Sequence, residues 1–236
     1  MEKKSLENLW KNIGMRYKAH PWHGLDAGEN APAEVNAFIE VVPSDSVKYE
    51  IDKESGYMIV DRPQKFSNHF PALYGFVPKT YCDKKVAELS RERIGRTDID
   101  GDNDPVDICI LTERHINHGN IIVPCIPIGG FRMLDGGEAD DKIIAVMKGD
   151  GIYGKYDEAT DLPKAVLDRL KHYFLTYKEI PGESNEKPKI EITHLYGKAE
   201  AMDVIKRSMD DYTASYGNVE NFLSDELASA VEQLSK

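Results

Sequence analysis

One acidic stretch, DIDGDNDPVD at residues 98–107, constrains the fold of this chain more than any other feature. Its five aspartates run directly into an apolar segment, residues 108–111, that is typical of a buried strand. Alternate side chains of a strand point the same way, so aspartates two residues apart can share one side. Two carboxylates about 4 Å apart repel each other by about 1 kcal/mol even in water. Such a cluster beside a strand therefore needs cations, and hard divalent ions such as Mg²⁺, which take oxygen ligands, suit it best.

A solvated acidic loop is the plain alternative, and a calcium-binding EF-hand is another. The EF-hand loop requires Gly at its sixth position and Glu at its twelfth. Counting from Asp100 puts Pro105 and Leu111 at these positions, and the register that starts at Asp98 fails as well. The EF-hand is therefore excluded.

Two further hypotheses compete for the same stretch. The motif of haloacid-dehalogenase-type aspartyl-phosphatases, Asp-x-Asp-x-Thr/Val, matches residues 102–106, with Asp102 as the nucleophile. In that family an apolar strand precedes the first aspartate, whereas here the apolar run follows, so this enzyme class stays only as the second hypothesis. The third is an OB-fold nucleic-acid-binding protein, which would want a basic groove with stacking aromatic residues.

Net charge and cysteine content indicate which partners this protein can bind and in which cellular compartment it lies. A net charge of −11 gives no general attraction for nucleic acid or for anionic membranes. The cysteines Cys82, Cys109 and Cys125 form no CxxC pair, which favours reduced thiols. The first ten residues lack the apolar region of a signal peptide, and no segment reaches transmembrane length. We therefore expect a cytoplasmic protein with neither nucleic acid nor membrane as a partner.

Hydrophobic periodicity predicts many short strands, with helices mainly towards the C-terminus. This pattern favours an α+β fold built on a small barrel. Asp161 is the predicted N-cap of the clearest helix, and residues 82–96 are predicted to be a polar surface excursion. The predicted strands cover residues 37–43, 46–52, 57–62, 106–111, 119–134, 143–147 and 189–193, with a short one inside 70–79. The predicted helices cover residues 5–18, 161–178, 199–212 and 220–234.

A second acidic loop, DGGEADDK at residues 135–142, precedes the predicted strand 143–147. Both acidic loops abut strands, so either can supply ligands to one shared metal cluster. The loop ends in Lys142, and a site for a metal-complexed anion needs such a group. Tyr177 and Lys178, at the end of the predicted helix 161–178, either belong to the core or reach a phosphate.

Six short segments of the chain form a recognisable series. The pattern Asp-x-Asp-Pro-hydrophobic-Asp stands at residues 102–107; VKYEIDKESG (47–56), VDR (60–62) and YGFVP (74–78) precede it, and DGGEADDK (135–142) and HYFLTYK (172–178) follow it. In this signature and in the order of the other five segments, the chain resembles the soluble family I inorganic pyrophosphatases. The resemblance covers roughly residues 38–206, and five motifs in order are hard to obtain by chance.

The resemblance implies an α+β fold with a five-stranded OB-like β-barrel and flanking helices, mainly C-terminal. It implies an inorganic diphosphatase that hydrolyses pyrophosphate to two orthophosphates by a Mg²⁺-activated water, with several Mg²⁺ ions per active site. It also implies a homo-oligomer, either a dimer or a hexamer. On this basis residues 1–35 form an N-terminal arm, 36–212 the barrel domain with its packed helices, and 213–236 a C-terminal helical extension.

The family's functional residues carry over position by position. Four aspartates match metal ligands, and one glutamate matches a residue that supports a metal through water: Asp102, Asp107, Asp135, Asp140 and Glu40. Asp104 matches the carboxylate that helps to deprotonate the attacking water. Six residues match the groups that hold the two phosphates: Lys48, Arg62, Tyr74, Lys142, Tyr177 and Lys178.

The chain departs from the family pattern in a few places. Phe70 stands where many members carry tyrosine, which predicts a modest change in activity or affinity. Residues 82–96, the first 35 residues and the helix after Asn218 exceed the compact bacterial pattern. The sequence GDNDP resembles that of the dimeric eukaryotic members more than that of the hexameric compact ones. All the matched carboxylates and cations are present, so nothing indicates an inactive relative.

Overall fold

The computed structural model describes residues 18–178 and 190–234, and beyond residue 217 it describes the backbone. Ten strands and three helices make up this part of the chain. The strands are β1 (Val35–Val41), β2 (Val47–Ile51), β3 (Met58–Pro63), β4 (Leu73–Phe76), β5 (Asp100–Gly101), β6 (Asp107–Leu111), β7 (Ile121–Asp135), β8 (Glu138–Ala139), β9 (Lys142–Met147) and β10 (Ile190–Gly197). The helices are α1 (Lys84–Ile94), α2 (Lys164–Thr176) and α3 (Lys198–Leu234).

Five strands close into a barrel. They pair in the order β1, β4, β6, β9, β7, and β7 then pairs with β1 to complete the ring. The β6–β9 pair is parallel and the other pairs of the ring are antiparallel. The five-stranded OB-like barrel expected from the family resemblance is thereby confirmed. The closed ring leaves β2 and β3 outside it, as a separate antiparallel hairpin.

One close approach between β1 and β4 depends on a glycine. A Cβ atom added at Gly75 would lie 1.9 Å from the carbonyl oxygen of Phe38. Since real Cβ contacts are never so short, only glycine lets these two strands come together here. The approach sets the position of Tyr74 and Phe76 on either side of the glycine.

The prediction for residues 82–96 was wrong, because this segment contains helix α1. Val86, Leu89 and Ser90 are fully buried on one face of α1, at the three- and four-residue spacing of a helix. Six of its eleven residues are charged, so composition alone concealed the narrow buried face. The carboxylate of Asp211 on α3 accepts hydrogen bonds from the backbone N–H groups of Lys85 and Val86 and so caps α1 from a neighbouring helix.

The C-terminal helices also differ from the prediction. Residues 198–234 form one continuous helix rather than two, because a single interior Gly217 costs only about 1 kcal/mol. Asp161 lies in a 3₁₀ turn (Ala159–Asp161) and does not cap α2, which follows Pro163.

The predicted helix 5–18 lies outside the described residues, apart from Lys18. Within the described part of the chain, no helix is long and apolar enough to span a membrane.

Candidate active site

A cleft of about 210 Å³ opens beside the barrel, between its two acidic loops, the β2–β3 hairpin and the end of α2. Eleven of the twelve predicted site residues line it, although they come from six separate segments of the chain. These are Lys48, Arg62, Tyr74, Asp102, Asp104, Asp107, Asp135, Asp140, Lys142, Tyr177 and Lys178.

The first acidic loop is fixed by backbone hydrogen bonds. The N–H of Asn103 donates to the carbonyl of Cys82 at 3.0 Å, and the N–H of Cys82 donates to the carbonyl of Asp104 at 2.8 Å. Asn103 has a φ of 61°, in the left-handed region that asparagine tolerates better than most residues. The N–H of Asp104 donates to the carboxylate of Asp102 at 3.0 Å. The loop therefore holds both aspartates in place before any ligand binds.

The second acidic loop is held by strand pairing. Asp135 ends β7, and the short strand β8 folds back to pair with it. Lys142 begins β9, opposite Asp107 at the start of β6. Because β6 and β9 are parallel, their first residues meet at the same end of the barrel, which brings the two acidic loops together.

Lys142 links the two loops. Its side chain is only 3% exposed, and its ammonium group contacts the carboxylates of both Asp107 and Asp140. The hydroxyl of Tyr74 donates to the same Asp107 carboxylate at 2.5 Å. Burial lowers the pKa of Lys142, but the two carboxylates outweigh burial and hold that pKa well above its ordinary value. Lys142 is therefore a buried lysine whose charged form the two carboxylates favour.

The β2–β3 hairpin presents two cations, Lys48 and Arg62, which are paired across its strands. The ammonium of Lys48 lies 2.7 Å from the carboxylate of Glu50 and 3.0 Å from that of Asp61. Glu50 and Asp61 were not predicted as site residues. Strand alternation places Lys48 and Glu50, two positions apart on β2, on one face of the strand, but it gives no sign that they form an ion pair at a cleft.

Lys53 is a further residue that the sequence analysis missed. It follows β2 in the hairpin turn, and its ammonium contacts the carboxylate of Asp104. Both side chains are about half exposed. Their separation of 51 residues leaves no local sequence signal for this pair.

Glu40 is the one predicted residue outside the cleft. It lines an adjoining cavity of about 100 Å³ that shares Lys48, Asp104 and Asp107 with the main cleft. Its carboxylate accepts a hydrogen bond from the N–H of Ile51 at 2.8 Å. Burial, partly offset by this hydrogen bond, raises the pKa of Glu40 to about 8.

Aromatic side chains form one wall of the cleft. Phe70 is buried and packs on Tyr74 and Tyr173, with ring centroids 4.7 Å and 4.5 Å away. Tyr173 was not among the predicted site residues, yet it also lines the cleft. The guanidinium of Arg62 lies 5.7 Å from the ring centroid of Tyr177, and the ammonium of Lys178 contacts Asp135.

The charge balance of the cleft suits a cation together with an anion. Six acidic residues and four basic residues line it. Burial, and next the neighbouring Asp140 carboxylate, raise the pKa of Asp102. Burial also raises the pKa of Asp140, although Lys142 opposes the shift. A positive ion beside these aspartates would favour their charged forms.

The donor set fits Mg²⁺ better than a soft metal. The acidic residues supply only carboxylate oxygens, which hard cations prefer. Within residues 18–178 and 190–217, no three His, Cys, Asp or Glu side chains converge into a ready-made metal cage. Mg²⁺ does not require such a cage, since it keeps several waters and is usually bound through one or two carboxylates plus substrate phosphates.

Comparison with known proteins agrees with the family resemblance seen in the sequence. A family model described as inorganic pyrophosphatase matches residues 37–213. The inorganic pyrophosphatase of Chlamydia muridarum is 53% identical over 195 residues, which cover 82% of this chain and 93% of the relative. The crystal structure of the inorganic pyrophosphatase from Thermus thermophilus matches with a TM-score of 0.68 at 25% identity, covering 83% of this chain and 99% of that one. The type I inorganic pyrophosphatase from P. falciparum matches with a TM-score of 0.69 at 26% identity, covering 88% of this chain and 68% of that one.

Proposed function

Because this chain belongs to the inorganic pyrophosphatase family, we propose that the cleft is the place where it hydrolyses inorganic pyrophosphate to two orthophosphates. The observation that supports this site most strongly is the convergence of acidic and basic residues from six segments on one cleft. Pyrophosphate complexed with divalent cations carries both signs of charge, and this cleft offers partners for both.

Asp102, Asp107, Asp135 and Asp140 are the proposed ligands of several Mg²⁺ ions, and Glu40 supports a metal through water from the adjoining cavity. When bound, Mg²⁺ lowers the pKa of a coordinated water and offsets the charge of the phosphates. The fixed backbone of the first acidic loop keeps the aspartates oriented for this purpose.

The six phosphate-binding groups divide between the walls of the cleft. Lys48 and Arg62 reach it from the hairpin, and Lys178 reaches it from the end of α2. Lys142 lines it from β9 of the barrel, so three separate elements present cations that can hold the two phosphates. Tyr74 and Tyr177 add hydroxyl groups to the same walls.

Asp104 is the proposed general base. Its half-buried carboxylate lies at the cleft and shares the adjoining cavity with Glu40. Water attacks one phosphorus atom and gives its proton to Asp104, while the bridging P–O bond breaks and its electrons stay on the departing phosphate. Lys48, Arg62, Lys142 and Lys178 stabilise the negative charge that develops there.

The cellular compartment, the oligomeric state and the domain division are also proposals, each supported by a single kind of observation. Cys82, Cys109 and Cys125 are buried free thiols, which favour a reducing compartment such as the cytoplasm. A homo-oligomer, dimer or hexamer, is expected from the family resemblance, and light scattering after gel filtration distinguishes these states. The division into an arm, a barrel domain and a C-terminal extension stays a prediction.

Orthophosphate release from pyrophosphate with millimolar Mg²⁺ tests the proposal. We expect fast release that excess chelator abolishes, and no release from a phosphomonoester run in parallel. Activity on the phosphomonoester alone would transfer the chain to the aspartyl-phosphatase mechanism with Asp102 as nucleophile. Undiminished pyrophosphate hydrolysis in excess chelator would refute the proposed metal site.

A further inference from the structure

A buried network of charged and polar groups lies behind the second acidic loop, and the proposed chemistry does not use it. Arg132 of β7 is completely buried, and its guanidinium lies 3.2 Å from the carboxylate of Asp141 and 2.7 Å from that of Glu200. The same guanidinium donates to the hydroxyl of Ser90 on α1 at 2.8 Å. Tyr196 of β10 donates to Asp141 at 3.1 Å, and its ring centroid lies 5.2 Å from the guanidinium carbon. We call these five residues the Arg132 network.

Stability alone gives little reason for such a network. Replacing a buried ion pair by apolar residues of similar volume is often neutral or even stabilising, because desolvation offsets the attraction. In addition, the Nε–H of Arg132 finds no hydrogen-bond acceptor among the described residues. The location of the network offers a better explanation.

Asp141 stands between two residues of the proposed site. Successive side chains of an extended segment point to opposite sides, so an Asp141 that faces Arg132 turns both Asp140 and Lys142 towards the cleft. Asp140 and Lys142 line the cleft, whereas Asp141 is buried against Arg132. The N–H of Asp140 also donates to the carbonyl of Met133 at 3.0 Å, next to Arg132 on β7.

We infer that Arg132 and Asp141 are a positioning pair for pyrophosphate hydrolysis, which locks the β8–β9 segment against β7 and thereby fixes Asp140 and Lys142 in the cleft. The inference rests on the proposed roles of Asp140 and Lys142. It also assigns a purpose to α1, since Ser90 on that helix supports the guanidinium from behind. Supporting residues of this kind typically change metal affinity or activity by about 10- to 100-fold when they are substituted.

Two variants test the pair. Asp141→Asn keeps the size of the side chain and the contact with Tyr196 but removes the charge that faces Arg132. We expect kcat to fall about 10- to 100-fold, with a much smaller rise in KM, because Lys48 and Arg62 hold substrate from the hairpin. We also expect Mg²⁺ to raise the unfolding midpoint of this variant less than that of the unsubstituted protein, since ligand binding to the native state is read directly in that shift.

The double variant Arg132→Met/Asp141→Leu removes both charges together. We expect its stability to approach that of the unsubstituted protein, while kcat stays as low as in Asp141→Asn. A purely structural pair would instead let kcat recover together with stability, and that result would overturn the inference. If Asp141→Asn fails to fold, the double variant decides alone.

Two controls separate the possible failures. Val35→Ala makes a cavity in the barrel core at a residue that lines neither the cleft nor the adjoining cavity, so it should lower the unfolding midpoint without changing kcat. Lys142→Ala tests the proposed site itself. If Lys142→Ala keeps full activity, the site assignment has failed. If Lys142→Ala loses activity but Asp141→Asn keeps it, only the positioning role is wrong.

Discussion

The substitution Asp104→Asn separates catalysis from folding most sharply, because the structure predicts a small effect on one and a large effect on the other. The carboxylate of Asp104 contacts Lys53, and the two side chains are 47% and 55% exposed. Ion pairs at this exposure contribute about 0–1 kcal/mol to stability. We therefore expect the free energy of unfolding to change by less than about 1 kcal/mol.

The rate should respond far more strongly. A positioned general base contributes about 10²- to 10⁴-fold to a rate, which corresponds to about 3–5 kcal/mol of activation free energy. An amide at position 104 fills the same space but cannot take the proton of the attacking water. The expected rise in activation free energy thus exceeds the expected change in the free energy of unfolding several-fold.

Steady-state orthophosphate release and denaturant unfolding measure the two quantities on the same preparation. Asp98→Asn is the matched control, because Asp98 belongs to the same acidic stretch and pairs with Arg96, yet it lies outside the cleft at 71% exposure. We expect the control to keep both stability and kcat. A kcat near that of the unsubstituted protein in Asp104→Asn would remove Asp104 from its proposed role, and an equal loss in Asp98→Asn would attribute the effect to the general charge of the loop.

Two other substitutions test the cleft and the barrel. Lys142→Met should lower kcat/KM for pyrophosphate by about 10²- to 10³-fold, because it removes the buried cation that is proposed to hold a phosphate. Lys148→Met breaks only an exposed ion pair and should leave kcat/KM unchanged. Equal kcat/KM in the two variants would contradict the assignment. Gly75→Ala should lower the free energy of unfolding by more than about 3 kcal/mol. Overpacking of a core typically costs about 1–3 kcal/mol, and here the added Cβ would also overlap the backbone carbonyl of Phe38. Gly154→Ala, which meets no atom within 4 Å, is the control in the same denaturant titration, and similar midpoints for the two variants would refute the packing argument.

The barrel and most of the cleft could be predicted because their residues stand in contiguous motifs. Residues 102–107 and 135–142 each carry several site residues within one short loop, so recognising the motif places the whole group. The closure of the barrel places Asp107 beside Lys142 through the parallel pairing of β6 with β9. Local sequence and strand topology are sufficient for that part of the site.

The residues that were missed depend on contacts across the fold. Lys53 contacts Asp104 from a different segment, and Ser90 supports Arg132 from a helix that was predicted to be a surface excursion. Four of the eleven residues of α1 are buried, and the mostly charged remainder conceals them in an average over composition. Tyr173 illustrates a third case, because one aromatic ring can both pack in the core and line a cleft, and periodicity reports only the packing.

The acidic and the basic residues of the cleft differ in how firmly the fold holds them. Its aspartates sit on short loops that backbone hydrogen bonds and strand pairing hold in place, and a carboxylate on such a loop has few conformations to lose. The proposed phosphate-binding cations Lys48, Arg62 and Lys178 instead reach in from the hairpin and the end of α2 on long side chains, which can adjust as one phosphate separates from the other. Lys142 is the exception, since it is a buried lysine on the barrel between two aspartates. Fixed aspartates beside cations on long side chains suit the proposed reaction, in which the geometry around a bound metal stays constant while pyrophosphate divides into two phosphates. The one fixed lysine, Lys142, is next in sequence to Asp141, which pairs with Arg132.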